Sequence, residues 1–195
     1  MSYQIDSTTA DCYPGTTVLV NRLNIRDEAL LEQAEALMTF AKASELEERP
    51  IPGGFDFSHY RAIHRFLFAE LYDWAGEIRT VNLSKKGTHF CPADRIMERA
   101  ERIFGRVREH DQFRGLSRDR LIAEIVGFYC AVNELHPFRE GNGRTQRAFL
   151  TQLIRNTGHD IRFADVDGDL LMIATIQASQ GVTDQLFRVF REIIR

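Results

Sequence analysis

Residues 136–147 read His-Pro-Phe-Arg-Glu-Gly-Asn-Gly-Arg-Thr-Gln-Arg, and no other stretch of the chain gathers as much potential chemistry. His136 offers a proton acceptor whose unperturbed pKa lies near neutrality. Glu140 offers a carboxylate for Mg2+, which takes one or two carboxylates and fills its other positions with phosphate oxygens and water. Gly141, Asn142 and Gly143 form a small-residue turn. Two glycines around a residue tolerant of left-handed geometry let consecutive backbone N–H groups converge on an anion. Arg144 and Arg147 lie three apart on the first turn of the helix that should follow, so they face one side. Cations there oppose the helix dipole; a multivalent anion held between guanidinium forks would account for them. These are the parts needed to hold a metal-bound polyphosphate and move a piece of it. Each also has a plainer reading. His136 alone is a histidine packed at a helix end, the glycines a tight turn, and Glu140 a partner for Arg139 or Arg144, weak if exposed. Phe138 reads as a core anchor for the loop.

The elements that must position these residues are mostly helical. Asn24 to Asp27 offers start signals, and Leu30, Leu31, Ala34, Leu37, Met38 and Ala41 follow at helical spacing until the acidic Glu45-Leu46-Glu47-Glu48. Pro50-Ile51-Pro52-Gly53-Gly54 marks a loop. Ser58 can cap a second helix with Ile63, Leu67 and Leu71 on one face. The period then changes: Ile78, Val81, Leu83, Thr88 and Phe90 around Lys85-Lys86-Gly87 predict a short hairpin. Asp94 can start a helix carrying Ile96, Ala100, Ile103, Phe104 and Val107. Ser117 can start another, from Leu121 to Leu135, which Pro137 should end. Helical spacing resumes from Gly143 to Asn156, with Gly158 as a stop. Two more helices are expected near Asp169 to Ala178 and Thr183 to Ile194. Trp74 and Phe66 read as core.

Composition bounds the rest. At 195 residues, with no linker or repeat, one domain is expected. Net charge is -3 and the sequence pI about 6.1, which speaks against direct nucleic-acid binding. No apolar run is long enough to span a bilayer, and residues 1–6 lack the features of a secretory signal. Cys12, Cys91 and Cys130 are odd in number and form no Cys-x-x-Cys pair, as expected of reduced thiols in a cytoplasm. His59, His64, His89, His110 and His159 show no metal-binding spacing.

The string at 136–147 resembles the Fic family signature, His-Pro-Phe-x-Asp/Glu-Gly-Asn-Gly-Arg-x-x-Arg, with every defined position filled. The helical order and the upstream hairpin extend the resemblance over most of residues 13–194. Tyr13-Pro14-Gly15-Thr16 and Asn21-Arg22-Leu23-Asn24-Ile25 are similar to the bacterial Fic toxins. The resemblance implies a mainly α helical bundle with a β-hairpin flap, as one Fic domain over 1–195: a core from about 55 to 194 and an N-terminal helical extension over 13–48.

The resemblance also implies an activity, transfer of AMP from ATP to a Tyr, Thr or Ser hydroxyl of a target protein. His136 would deprotonate the hydroxyl. Glu140 would hold Mg2+ between the α- and β-phosphates. Gly141, Asn142 and Gly143 would form the anion hole, Arg144 would hold the β-phosphate and Arg147 the γ-phosphate. Lys85, Lys86, Gly87, Thr88, His89 and Phe90 would belong to the flap that docks the target by strand addition, although lysines on a hairpin also serve simply to guard an edge. Many relatives carry an inhibitory Ser/Thr-x-x-x-Glu-Gly/Asn helix. The nearest match here, Ser44-Glu45-Leu46-Glu47-Glu48-Arg49, ends in arginine. A separate small antitoxin that contacts Arg147 is therefore expected, with ATPase subunits of type II topoisomerases as the target class. Doc-type phosphorylation is disfavoured because Gly143 stands where those relatives have lysine, and AMP removal because the inhibitory Glu is not found. Phosphocholine or UMP transfer, or a catalytically silent nucleotide-binding module, remain as alternatives.

Overall fold

The computed structural model describes residues 4–5, 11–85 and 88–195, with the backbone alone at 4, 5 and 88. Helix α1 (Glu28–Glu48) begins where the Asp27 side chain accepts the Leu30 N–H. Helix α2 (Phe57–Phe68) is capped by Asp56 rather than by Ser58. Asp56 has the extended backbone that a cap requires (φ -92, ψ -179) and accepts the His59 N–H at 2.8 Å. Ser58 lies inside the first turn and donates to Asp56 Oδ1. Asp94 falls in a 3-10 turn, Ala93–Arg95, ahead of α3 (Ile96–Glu109). Then come α4 (Arg118–Leu135), α5 (Asn142–Asn156), α6 (Gly168–Ser179) and α7 (Asp184–Ile193).

Helix α2 packs on α1, α5 and α3, and α4 packs on α3, α5 and α7. Their shared interior is aromatic. Tyr60 of α2 meets Phe104 of α3, Phe149 of α5 and Phe138 of the motif loop, at ring-centroid distances of 5.3, 5.3 and 5.5 Å. Each buried aromatic of this kind contributes roughly 2–3 kcal/mol through removal of apolar surface from water. Phe138 is fully buried, so the motif loop is rooted in the core, as its sequence predicts.

Strands β1 (Gln4–Ile5), β2 (Leu83–Lys85) and β3 (Thr88–His89) pair antiparallel in the order β1-β2-β3. Gln4 pairs with Ser84 and Ile5 with Leu83, while Ser84 pairs with His89 and Lys85 with Thr88. The hairpin was legible; β1 was not, because two residues carry no alternation to detect. Lys86 and Gly87 lie outside the described residues. At the far end, Ile161 bridges Ile194, and Arg118 of α4 donates to the Ile194 carbonyl at 2.8 and 3.0 Å. Cys12, Cys91 and Cys130 are free thiols. Among the described residues no helix is long and apolar enough to cross a membrane.

Candidate active site

Helix α4 ends at Leu135, and His136 closes it in the left-handed conformation (φ 44, ψ 59) with its N–H on the Val132 carbonyl. Pro137 disfavours helix at the residue before it, which forces the turn at His136. The imidazole Nδ1 lies 3.2 Å from the Asn133 carbonyl. A carbonyl only accepts, so Nδ1 carries the proton and Nε2 is the unprotonated nitrogen of the neutral ring. Burial pushes the His136 pKa down to about 3. The Asn133 contact opposes that fall, and the charges of Arg79 and Lys85 add to it. The ring is thus a free base at neutral pH. It is also more enclosed than its sequence suggested. His136 is only 7% exposed, and Phe90 of the hairpin stacks on it at 3.7 Å with 13° between the planes.

The loop after it is held by its own side chains. Asn142 Nδ2 donates to the Phe138 carbonyl at 2.8 Å, and Asn142 Oδ1 accepts the Phe138 N–H at 2.9 Å. Gly141 (φ 79) admits no side chain, since a Cβ there would lie 2.2 Å from the Phe68 ring. Its N–H donates to Glu140 Oε1 at 2.7 Å. The Asn142 side chain and the Gly141 N–H therefore shape the loop rather than face a ligand. No side chain caps α5, so its first-turn N–H groups at Asn142, Gly143 and Arg144 have no preceding turn to bond. Gly143 is exposed. A fully buried histidine of α2 fixes the loop from below: His64 Nδ1 accepts the Gly76 N–H at 2.8 Å, so its Nε2–H donates to the Glu140 carbonyl at 3.0 Å.

Glu140 is the acidic centre of the loop. Burial raises its pKa, and the nearby Glu35 carboxylate raises it further, against the Gly141 N–H and Arg144. A carboxylate in that state gains from a nearby cation. Arg144 lies between Glu140 at 3.3 Å and Glu35 of α1, with Nη1 on Thr39 Oγ1 at 3.2 Å and its guanidinium 4.9 Å above the Phe68 ring. The second oxygen of Glu35 accepts the Tyr72 hydroxyl at 2.5 Å. Reading the sequence missed Glu35, Thr39 and Tyr72. A signal existed: Glu35 and Thr39 continue the buried stripe that begins at Leu31, at i+4 and i+8.

Arg147 differs from Arg144. Its guanidinium makes no ion pair or hydrogen bond among the described residues, and burial together with Arg144 holds its pKa below the usual arginine range. It borders a groove of about 1090 Å3 between α1 and α5, lined among others by Phe40, Glu48, Pro52, His59, Arg144 and Arg147. The groove does not touch His136 or the loop. Glu48, the acid of the broken inhibitory pattern, lines it without pairing with Arg147. On the hairpin, Lys85 is close enough to His136 and Glu140 to act on the charge of both, and His89 is exposed. The fold thus sets Phe90 on His136 and Arg144 on Glu140, with Lys85 near both His136 and Glu140 and Arg147 a turn further along.

The description of the Fic/DOC family matches residues 54–154, which include α2 and nearly all of α5. The chain belongs to the Fic/DOC family. Among its Fic relatives, “Probable protein adenylyltransferase y4lH” of Sinorhizobium fredii is 37% identical over 94% of this chain and 94% of that protein. Protein adenylyltransferase VbhT of Bartonella schoenbuchensis is 35% identical over 91% of this chain and 37% of VbhT. The mainly helical fold is shared with the BepC effector of Bartonella tribocorum solved with bound AMPPNP, with a TM-score of 0.90 and 26% identity over 95% of this chain and 96% of that one.

Proposed function

We propose that this chain is a protein adenylyltransferase that moves AMP from ATP to a Tyr, Thr or Ser hydroxyl of a target protein. The observation that carries the reading is the imidazole of His136, fixed by Asn133 at the start of a loop that carries Glu140 and leads into an uncapped helix start bearing Arg144 and Arg147. Relatives named protein adenylyltransferases over most of this chain support it. His136 Nε2 takes the hydroxyl proton as the oxygen bonds to the α-phosphorus, and the bond to pyrophosphate breaks. The first-turn N–H groups of α5 and the positive end of its dipole face the phosphates. Arg144 meets the β-phosphate and Arg147 the γ-phosphate.

Glu140 fits a divalent cation. One of its oxygens is held by Gly141 and Arg144, and the other makes no hydrogen bond or ion pair among the described residues. An ion of this kind takes one or two carboxylates and fills its other positions with nucleotide oxygens and water. Glu140 would hold Mg2+ there, and the ion would supply positive charge to offset that of the polyphosphate.

The regulation we propose is a separate small antitoxin whose acidic helix enters the α1–α5 groove and meets Arg147; the groove and a guanidinium with no ion pair among the described residues support this. We read the chain as one Fic domain acting in the cytoplasm, with the flap docking the target and topoisomerase ATPase subunits as the target class. That last choice rests on the likeness to bacterial Fic toxins alone. Incubation with α-labelled ATP, Mg2+ and bacterial lysate should give a labelled protein band. His136→Ala should lose the band, by at least about 10²-fold, while still binding ATP. Labelling by that variant at the wild-type rate removes the base assignment.

A further inference from the structure

Arg79 lies outside the family signature, between the turn at Gly76 and the hairpin, and is 4% exposed. Its guanidinium collects carbonyls from three places. Nε donates to His136 at 2.8 Å, Nη1 to Val81 at 2.6 Å, and Nη2 to Cys91 at 2.5 Å and Leu135 at 3.4 Å. Its own N–H donates to the Pro137 carbonyl at 2.9 Å. Leu135 and His136 lie at the end of α4, where carbonyls have no helical donor and a cation is favoured. Val81 and Cys91 are the two feet of the hairpin. One side chain therefore joins the base's backbone to both ends of the segment that carries Phe90.

We propose that Arg79 is a positioning residue for AMP transfer: it fixes the spacing between the His136 imidazole and the hairpin on which the acceptor hydroxyl would be presented. The inference rests on the transfer reading above. A planar guanidinium with five donors satisfies four carbonyls at once, which a lysine ammonium with three donors cannot do. Phe90 follows from the same frame. It is the neighbour of Cys91, whose N–H is held by the Glu134 carbonyl at 2.9 Å, so its ring has little freedom to leave the imidazole. The hydrogen bonds of Arg79 go to the end of α4 and the feet of the hairpin, while those of Arg144 go to Glu35, Thr39 and Glu140, so nucleotide affinity and transfer should separate.

The test compares Arg79→Lys and Arg79→Met with wild type in the full chain. Four readouts are taken: melting temperature, Kd for Mg-ATP, kcat for labelling the lysate protein that wild type labels, and the NMR shift of the His136 ring proton under the Phe90 face. The proposal expects Arg79→Lys to stay folded and to bind Mg-ATP within about twofold of wild type. Its kcat should fall about 10²-fold, the loss that an ångström of misplacement causes, and the ring-shielded His136 signal should move. An Arg79→Lys enzyme with wild-type kcat and an unmoved His136 signal overturns the proposal, as does a kcat loss that only follows a matching loss of Mg-ATP affinity. If wild type labels nothing, the transfer reading fails instead, and the His136 signal still decides whether Arg79 sets the ring against Phe90. Should Arg79→Met fail to fold, Arg79→Lys carries the decision.

Discussion

His136 joins two conditions on one residue, a left-handed backbone and a buried neutral ring. A non-glycine residue in that conformation costs about 1–2 kcal/mol, and the surrounding carbonyl and guanidinium contacts hold it there. Arg147, one turn into α5, stands in the opposite situation: a positive charge that nothing described in the fold neutralises, beside a second arginine. An incoming polyanion relieves both the repulsion and the burial. A charge-assisted hydrogen bond of this kind contributes about 1.5–3 kcal/mol. Arg147→Ala should therefore weaken ATP binding by about 10- to 100-fold in a calorimetric titration, and should loosen restraint by a co-expressed antitoxin. Unchanged affinity together with unchanged restraint would remove the γ-phosphate role.

The helices α1 and α5 meet through charge as well as packing. Glu35 reaches across to Arg144 while accepting the Tyr72 hydroxyl, and Thr39 completes the set. Truncating Glu35 removes the acceptor of the Tyr72 hydroxyl and leaves Arg144 with only Glu140 and Thr39. Glu35→Ala should lower unfolding stability by about 3 kcal/mol, read as a lower urea midpoint at unchanged slope; a shift below about 1 kcal/mol would mean that Arg144 finds other partners. This contact also shows where the sequence stops being legible. Helices were readable because apolar residues recur at 3.6 along α3, α4 and α7, and the motif was readable because its chemistry is contiguous. The partner of Arg144 lies 109 residues away, and nothing local marks it except two polar residues in an apolar stripe. Asp56 took the cap expected of Ser58 because a cap needs an extended backbone of its own, which Asp56 has and Ser58, inside the helix, does not. Arg79 was hidden for a similar reason: its partners are carbonyls, which every residue has.

For the molecule as a whole, two buried histidines set the response to acid. His64 and His136 are both pushed down to about 3 by burial, against about 6.5 in an unfolded chain. A depressed folded pKa means that the unfolded chain binds protons first. The stabilisation is present above pH 6.5 and is lost as pH falls toward 3, at about 1.4 kcal/mol per pH unit for each histidine. Glu140, with its raised pKa, acts with the opposite sign near the carboxylate range. The difference between wild type and His64→Gln isolates one histidine. Urea unfolding between pH 7.5 and 5 should show the wild type losing stability more steeply, by one proton's worth, and parallel curves would mean that His64 is already protonated in the fold.

The short strand β1 has a consequence for how another protein could approach. It covers one side of β2, so among the described residues the outer strands of the three are β1 and β3. A visiting peptide that joins this ribbon along β3 lies next to the phenylalanine that covers the histidine. It must lie straight for two or three residues and offer its amide groups sideways. Extended loops and chain ends meet that demand; a hydroxyl in the middle of an intact helix does not.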